Sequence, residues 1–129
     1  MAVYLDSSAI VKLAVREAES DALRRHLRRR RPYVSSALAR TEVLRALLPG
    51  GEHSLASGRR VLSHVELIRV NDRVLELAGL LLPYALRSLD AIHLATAARL
   101  ADDLSEIVTY DDRMAAAALE LGYRVVAPA

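Results

Sequence analysis

The chain has 129 residues, 53% of them hydrophobic, with a formal net charge of +2 and no cysteine. That length predicts one domain, residues 1–129, with room for a real core but not for two. Disulfides and thiolate zinc sites are excluded, and no apolar run reaches the length of a membrane span. The opening Met1-Ala2-Val3-Tyr4-Leu5 meets Asp6 too early to read as a signal peptide, so a cytoplasmic protein is expected.

There is no Phe and no Trp, so the core falls to Leu, Val, Ile and Ala. In chain order, residues 2–5 predict a strand that ends at Asp6, with a helix over 8–15. A second helix over 18–31 carries Leu23 and Leu27 on one buried stripe and six arginines, Arg24, Arg25 and Arg28 to Arg31. This block reads equally as a solvated face and as a phosphate-contacting patch. A strand over 33–35 leads to a helix over 36–48 that Ser36 can cap. Glu42 stands among apolar neighbours there, with a surface pair to Arg45 as the alternative. Pro49-Gly50-Gly51 closes that helix, and Pro49 to Ser57 reads as the one flexible loop.

Beyond it lie a helix over 53–64, a strand over 66–70, and a helix over 72–86 that Asn71 can cap and Pro83 must kink or break. A helix over 88–102, with Ser88 as its cap, holds Asp90 in its first turn. A strand over 105–108 runs into Thr109, Asp111 and Asp112. A last helix over 112–121 closes at Gly122, and a strand over 123–126 follows. Strands alternating with helices predict an α/β fold, a three-layer α/β/α sandwich around a mainly parallel sheet of about five strands.

Four carboxylates stand out within apolar surroundings: Asp6, Glu42, Asp90 and Asp111. Burying such groups is costly unless they are paired or bound to a cation. Taken singly, Asp6 also reads as a helix cap, Asp90 as an anion at a helix dipole, and Asp111 as a turn residue beside the cap Asp112. Taken together, they point to a shared hard cation, Mg²⁺ or Mn²⁺, since oxygen donors without cysteine suit neither zinc nor softer metals. Such an ion polarises phosphoryl oxygens and activates water. His93, three residues after Asp90, reads more readily as a packing or hydrogen-bonding histidine than as a base. His26, His53 and His64 read as surface. Ser7 and Ser8 lack the elbow and histidine of a serine hydrolase.

Val3-Tyr4-Leu5-Asp6-Ser7-Ser8-Ala9-Ile10-Val11-Lys12-Leu13 resembles the opening of PIN-domain nucleases, in particular the VapC-type toxins of prokaryotic toxin–antitoxin pairs. The segments Ser35 to Val43, Arg87 to Ala97 and Val108 to Met114 resemble that family's later motifs, in order and at its usual spacing. The resemblance implies a metal-dependent endoribonuclease with Asp6, Glu42, Asp90 and Asp111 as catalytic residues and metal ligands. Ser8 and Thr109 would orient carboxylates, Arg87 would steady Asp90 or a phosphate, and Asp112 adds a second acid beside Asp111. It implies metal-assisted attack of water on RNA, leaving 5′-phosphate and 3′-hydroxyl ends. It also implies a small VapB-like antitoxin that blocks the acidic pocket, a homodimer, and DNA contact through the antitoxin only.

Two other function classes compete. An aspartyl-phosphate enzyme or receiver domain also places Asp after a strand, but Ser8 stands where a dehalogenase-type phosphatase needs a second Asp. The only lysine, Lys12, lies too early for a receiver. A non-catalytic RNA- or peptide-binding module would use the same fold without needing the acidic set.

Overall fold

In the computed structural model, which describes residues 1–129, five strands form one sheet in the order β3-β2-β1-β4-β5, and every pairing is parallel. They are β1 (Ala2–Leu5), β2 (Tyr33–Ser36), β3 (Glu66–Ile68), β4 (Leu104–Val108) and β5 (Val125–Val126). Parallel strands are covered on both faces and therefore read as continuous apolar runs; all four residues of β1 are buried.

Period-2 alternation divides the core. Val3 and Leu5 face one layer of helices, α1 (Ser7–Ala14), α2 (Ser20–Leu27), α3 (Ala39–Leu47) and α4 (Gly51–Leu62). Ala2 and Tyr4 face α6 (Ser88–Ala98) and α7 (Asp112–Glu120), and α5 (Asp72–Leu80) packs against α6. The result is an α/β/α sandwich. Leu23 and Leu27 are buried as their spacing predicts, each such side chain worth roughly 1.5–3 kcal/mol relative to exposure. No helix is long and apolar enough to cross a membrane.

Several boundaries differ from expectation. The second helix stops at Leu27, because Pro32 disfavours helical backbone at Arg31 and the intervening arginines have no apolar face to bury. Pro49 to Ser57 is not a loop. A 3-10 turn, Leu48–Gly50, passes through Gly51 at φ 80 straight into α4. A proline loses no helical bond in a first turn, and glycine tolerates positive φ, so the same residues that end one helix start the next.

The helix over 72–86 ends at Leu80, since Pro83 holds the preceding residues extended. Ser36 lies in β2 and accepts the Leu38 N–H in a turn before α3 rather than capping it. Ser88 is the first residue of α6, not its cap. Asn71 does cap α5, accepting from Val74 N.

Candidate active site

The sheet order reverses between β1 and β4, which extend to opposite edges, and ligands in such sheets bind beyond the carboxyl ends at that switch. Asp6 leaves β1 there, and Thr109 to Asp111 leave β4. Asp6 caps α1: its Oδ1 accepts Ala9 N–H at 3.0 Å and Ser8 Oγ–H at 2.6 Å. Its Oδ2 accepts Thr109 Oγ–H at 2.5 Å. Both hydroxyls tie the segment after β1 to the segment after β4, for Ser8 Oγ also accepts Tyr110 N–H, and Thr109 Oγ1, which donates to Asp6, accepts Asp111 N–H.

Asp111 caps α7, accepting Arg113 and Met114 N–H on Oδ1. The expected cap, Asp112, is instead the first residue of the helix; it is exposed and makes no side-chain hydrogen bond. At both aspartates the cap uses Oδ1. At Asp111 this leaves Oδ2 facing the Arg87 guanidinium at 3.5 Å. One oxygen of Asp111 thus caps the helix while the other receives no hydrogen bond.

Arg87 also stands 3.5 Å from Asp90 Oδ2. That contact is an ion pair too long for a good hydrogen bond, and Asp90 Oδ2 is buried with no hydrogen-bond partner. Burial pushes the Asp90 carboxyl above its ordinary range, and the nearby Asp111 charge adds to this; Arg87 opposes both. Burial likewise raises Asp6, against the hydrogen bonds from Ser8, Thr109 and Ala9.

Glu42 reaches the group from the first turn of α3. Its Oε1 meets Ser7 Oγ at 2.6 Å and His93 Nε2 at 2.6 Å. Burial alone would raise its carboxyl; these bonds outweigh burial and hold it below the usual range. It makes no ion pair with Arg45.

The four acids thus belong to one network. Thr109 links Asp6 to Asp111, Arg87 links Asp111 to Asp90, and Glu42 joins them through its bonds to Ser7, the residue after Asp6, and to His93, three residues after Asp90. Hard oxygen donors, and a buried carboxylate oxygen that receives no hydrogen bond, fit a hard divalent cation. No three of the chain's His, Asp and Glu side chains are drawn up at the spacing of a closed metal shell; Arg87 supplies the positive charge between Asp90 and Asp111.

Some functional contacts escape sequence reading. Ser7 serves Glu42 as a hydrogen-bond donor, and Tyr4 backs His93, its OH 2.7 Å from Nδ1. Neither stands out in a polar or apolar run. His26 is not a surface histidine: it meets Glu106 Oε2 at 2.6 Å, with Arg30 3.5 Å from the other oxygen. A charged residue inside the apolar β4 run was the signal for that pair.

Known proteins resemble this chain in sequence and fold. The PIN domain family model matches residues 3–120. The chain is 68% identical to ribonuclease VapC46 of Mycobacterium tuberculosis over 127 residues, covering 98% of both chains. It is 40% identical to ribonuclease VapC35 of the same organism over 130 residues, covering 98% of this chain and 96% of that one. A crystal structure of M. tuberculosis VapC20, a Sarcin-Ricin loop cleaving toxin, shares the fold at TM-score 0.77 and 18% identity, covering 98% of this chain and 99% of that one. A toxin–antitoxin complex from Klebsiella pneumoniae matches at TM-score 0.72 and 25% identity over 98% of both. A model match along nearly the whole length, and relatives this close at both ends of it, make the chain a member of the PIN-domain family.

Proposed function

We propose that this chain is the endoribonuclease toxin of a toxin–antitoxin pair, acting on cytoplasmic RNA as one domain and depending on Mg²⁺ or Mn²⁺. The single observation that carries the reading is the network of four acids at the switch between β1 and β4, with Asp90 Oδ2 buried and without a hydrogen-bond partner. Asp6, Glu42, Asp90 and Asp111 would hold the ion. When bound, such an ion polarises a phosphoryl oxygen and lowers the pKa of water.

The chain's own residues do the rest. Ser8 in α1 and Thr109 just after β4 fix both oxygens of Asp6. Arg87, more than half exposed, can turn its fork from the two acids to a substrate phosphate, which a guanidinium matches bidentately. A surface hollow of about 380 Å³ between α3 and α4 is lined by Arg40, Arg45 and Arg59, none of which is ion-paired. These cations favour an RNA backbone. Asp112 is not needed in this scheme. The partner is a small VapB-like antitoxin that blocks the acidic pocket, and it alone contacts DNA. The exposed Leu75, Leu80 and Leu82 on and after α5 fit a homodimer interface.

The test is cleavage of total RNA by the isolated chain with Mg²⁺ or Mn²⁺. Discrete cuts bearing 5′-phosphates, absent with EDTA and in Asp6→Asn, are expected. No cleavage by folded, metal-supplied protein would leave the binding-module reading instead.

A further inference from the structure

Behind the carboxylates runs a buried chain of hydrogen bonds that the scheme above does not use. The Tyr4 hydroxyl, on a fully buried side chain, meets His93 Nδ1 at 2.7 Å, and His93 Nε2 meets Glu42 Oε1 at 2.6 Å. The two rings stand edge to face, 5.9 Å apart at 80°. Ser7 donates to the same Glu42 oxygen, and no hydrogen bond reaches Oε2.

The proton positions follow from chemistry. An ionised carboxylate only accepts, so Nε2 carries the hydrogen. Burial keeps the proton on the Tyr4 hydroxyl, and its hydrogen-bond partner is Nδ1, so Tyr4 O–H donates there. A ring bonded at both nitrogens is fixed in tautomer and orientation.

Glu42 needs such a restraint more than its companions do. Asp6 and Asp111 are pinned as helix caps, and Asp90 is short and flanked by Arg87. A glutamate reaching in from α3 has three side-chain torsions to immobilise, an entropy of roughly 1.5–2 kcal/mol. We propose that His93 is a positioning residue for Glu42: Tyr4 holds its ring as the Nε2–H tautomer, and that N–H, with Ser7, pins Oε1 so that Oε2 is presented to the site. The inference rests on the nuclease reading of the four acids.

Two substitutions separate the two ring nitrogens. In His93→Gln the side-chain amide can stand near Nε2 and still donate to Glu42. In His93→Asn it stands near Nδ1 and cannot. With folding checked by circular dichroism, His93→Asn is expected to lower kcat by about 10–100-fold with KM little changed, and to weaken Mn²⁺ binding similarly. His93→Gln is expected to recover most of both. Tyr4→Phe keeps the core ring and serves as the second variant, with a smaller loss of kcat.

Nitrogen-15 NMR of the metal-free wild type gives a readout independent of activity. A proton on Nε2 and a bare Nδ1 are expected; a proton on Nδ1 would overturn the inference. So would an His93→Asn variant equal to wild type in kcat and Mn²⁺ affinity. If the wild type itself cut no RNA, the nuclease reading would fall, and the NMR and Mn²⁺ affinities would still decide the role of His93.

Discussion

Two of the four acids, Asp6 and Asp90, hold their charges at the expense of the fold. Asp90 and Asp6 are both raised by burial from their ordinary value of 3.8. A raised folded-state pKa means that the fold favours the protonated form. Their stability contribution is complete below the ordinary aspartate range and is lost as pH rises through the folded value. At neutral pH both charges therefore strain the protein. Asp90→Asn, which keeps the shape and removes the charge, is expected to raise Tm in EDTA at neutral pH, and the gain should vanish in acid. Glu42 runs the other way: held below 4.5, it contributes stability above that range which is lost as pH falls. A Tm series of wild type, Asp90→Asn and Glu42→Gln against pH checks both signs.

Saturating Mg²⁺ or Mn²⁺ should relieve the strain and stabilise the wild type, by about 2.7 kcal/mol at a hundredfold excess over Kd, with little effect on Asp90→Asn. Thr109→Val tests the hydroxyl bridge. It deletes a 1% exposed donor to Asp6 and the acceptor for Asp111 N–H. A loss of about 1–3 kcal/mol in urea unfolding is expected, with weaker metal binding.

At the scale of elements, α3 and α4 determine where Glu42 stands. Gly58 of α4 lies against α3: a Cβ there would sit 2.6 Å from Leu47 Cδ1 and 3.5 Å from Val43 Cγ1. Leu47's tip can move, but the branches of valine would also meet Val43. Gly58→Val is expected to cost about 1–3 kcal/mol in urea unfolding and to weaken Mn²⁺ binding by displacing α3. Stability lost with metal affinity intact would show that Glu42 tolerates the shift.

This helix pair also shows where sequence reading stops. Pro49-Gly50-Gly51 marks a break, but whether a loop or a new helix follows depends on the apolar partners Leu55 and Leu62 find in the core. Caps fail for a similar reason. Asp111 and Asp112 are equally good capping residues, and only the path of the chain out of β4 decides between them.

For the whole molecule, the architecture was legible because it rests on periodicity. Alternating strand and helix patterns with buried strands leave few options besides a covered parallel sheet. The four acids were legible too, as charges in apolar company. Their supports were not. Tyr4 reads as a core aromatic until β1 and α6 are brought side by side, Ser7 as a stray hydroxyl until α1 meets α3, and the pairing of His26 with Glu106 spans 80 residues. Contacts between distant segments carry no local pattern.

The central claim is that acids from four separate segments make one cation site. Calorimetric titration of Mn²⁺ into the metal-free chain tests it most directly, with Asp6→Asn, Glu42→Gln, Asp90→Asn and Asp111→Asn alongside. Saturable binding by the wild type, weakened at least about tenfold in each folded variant, is the predicted result. Binding that survives in all four variants, or no binding by the folded wild type, would contradict the account.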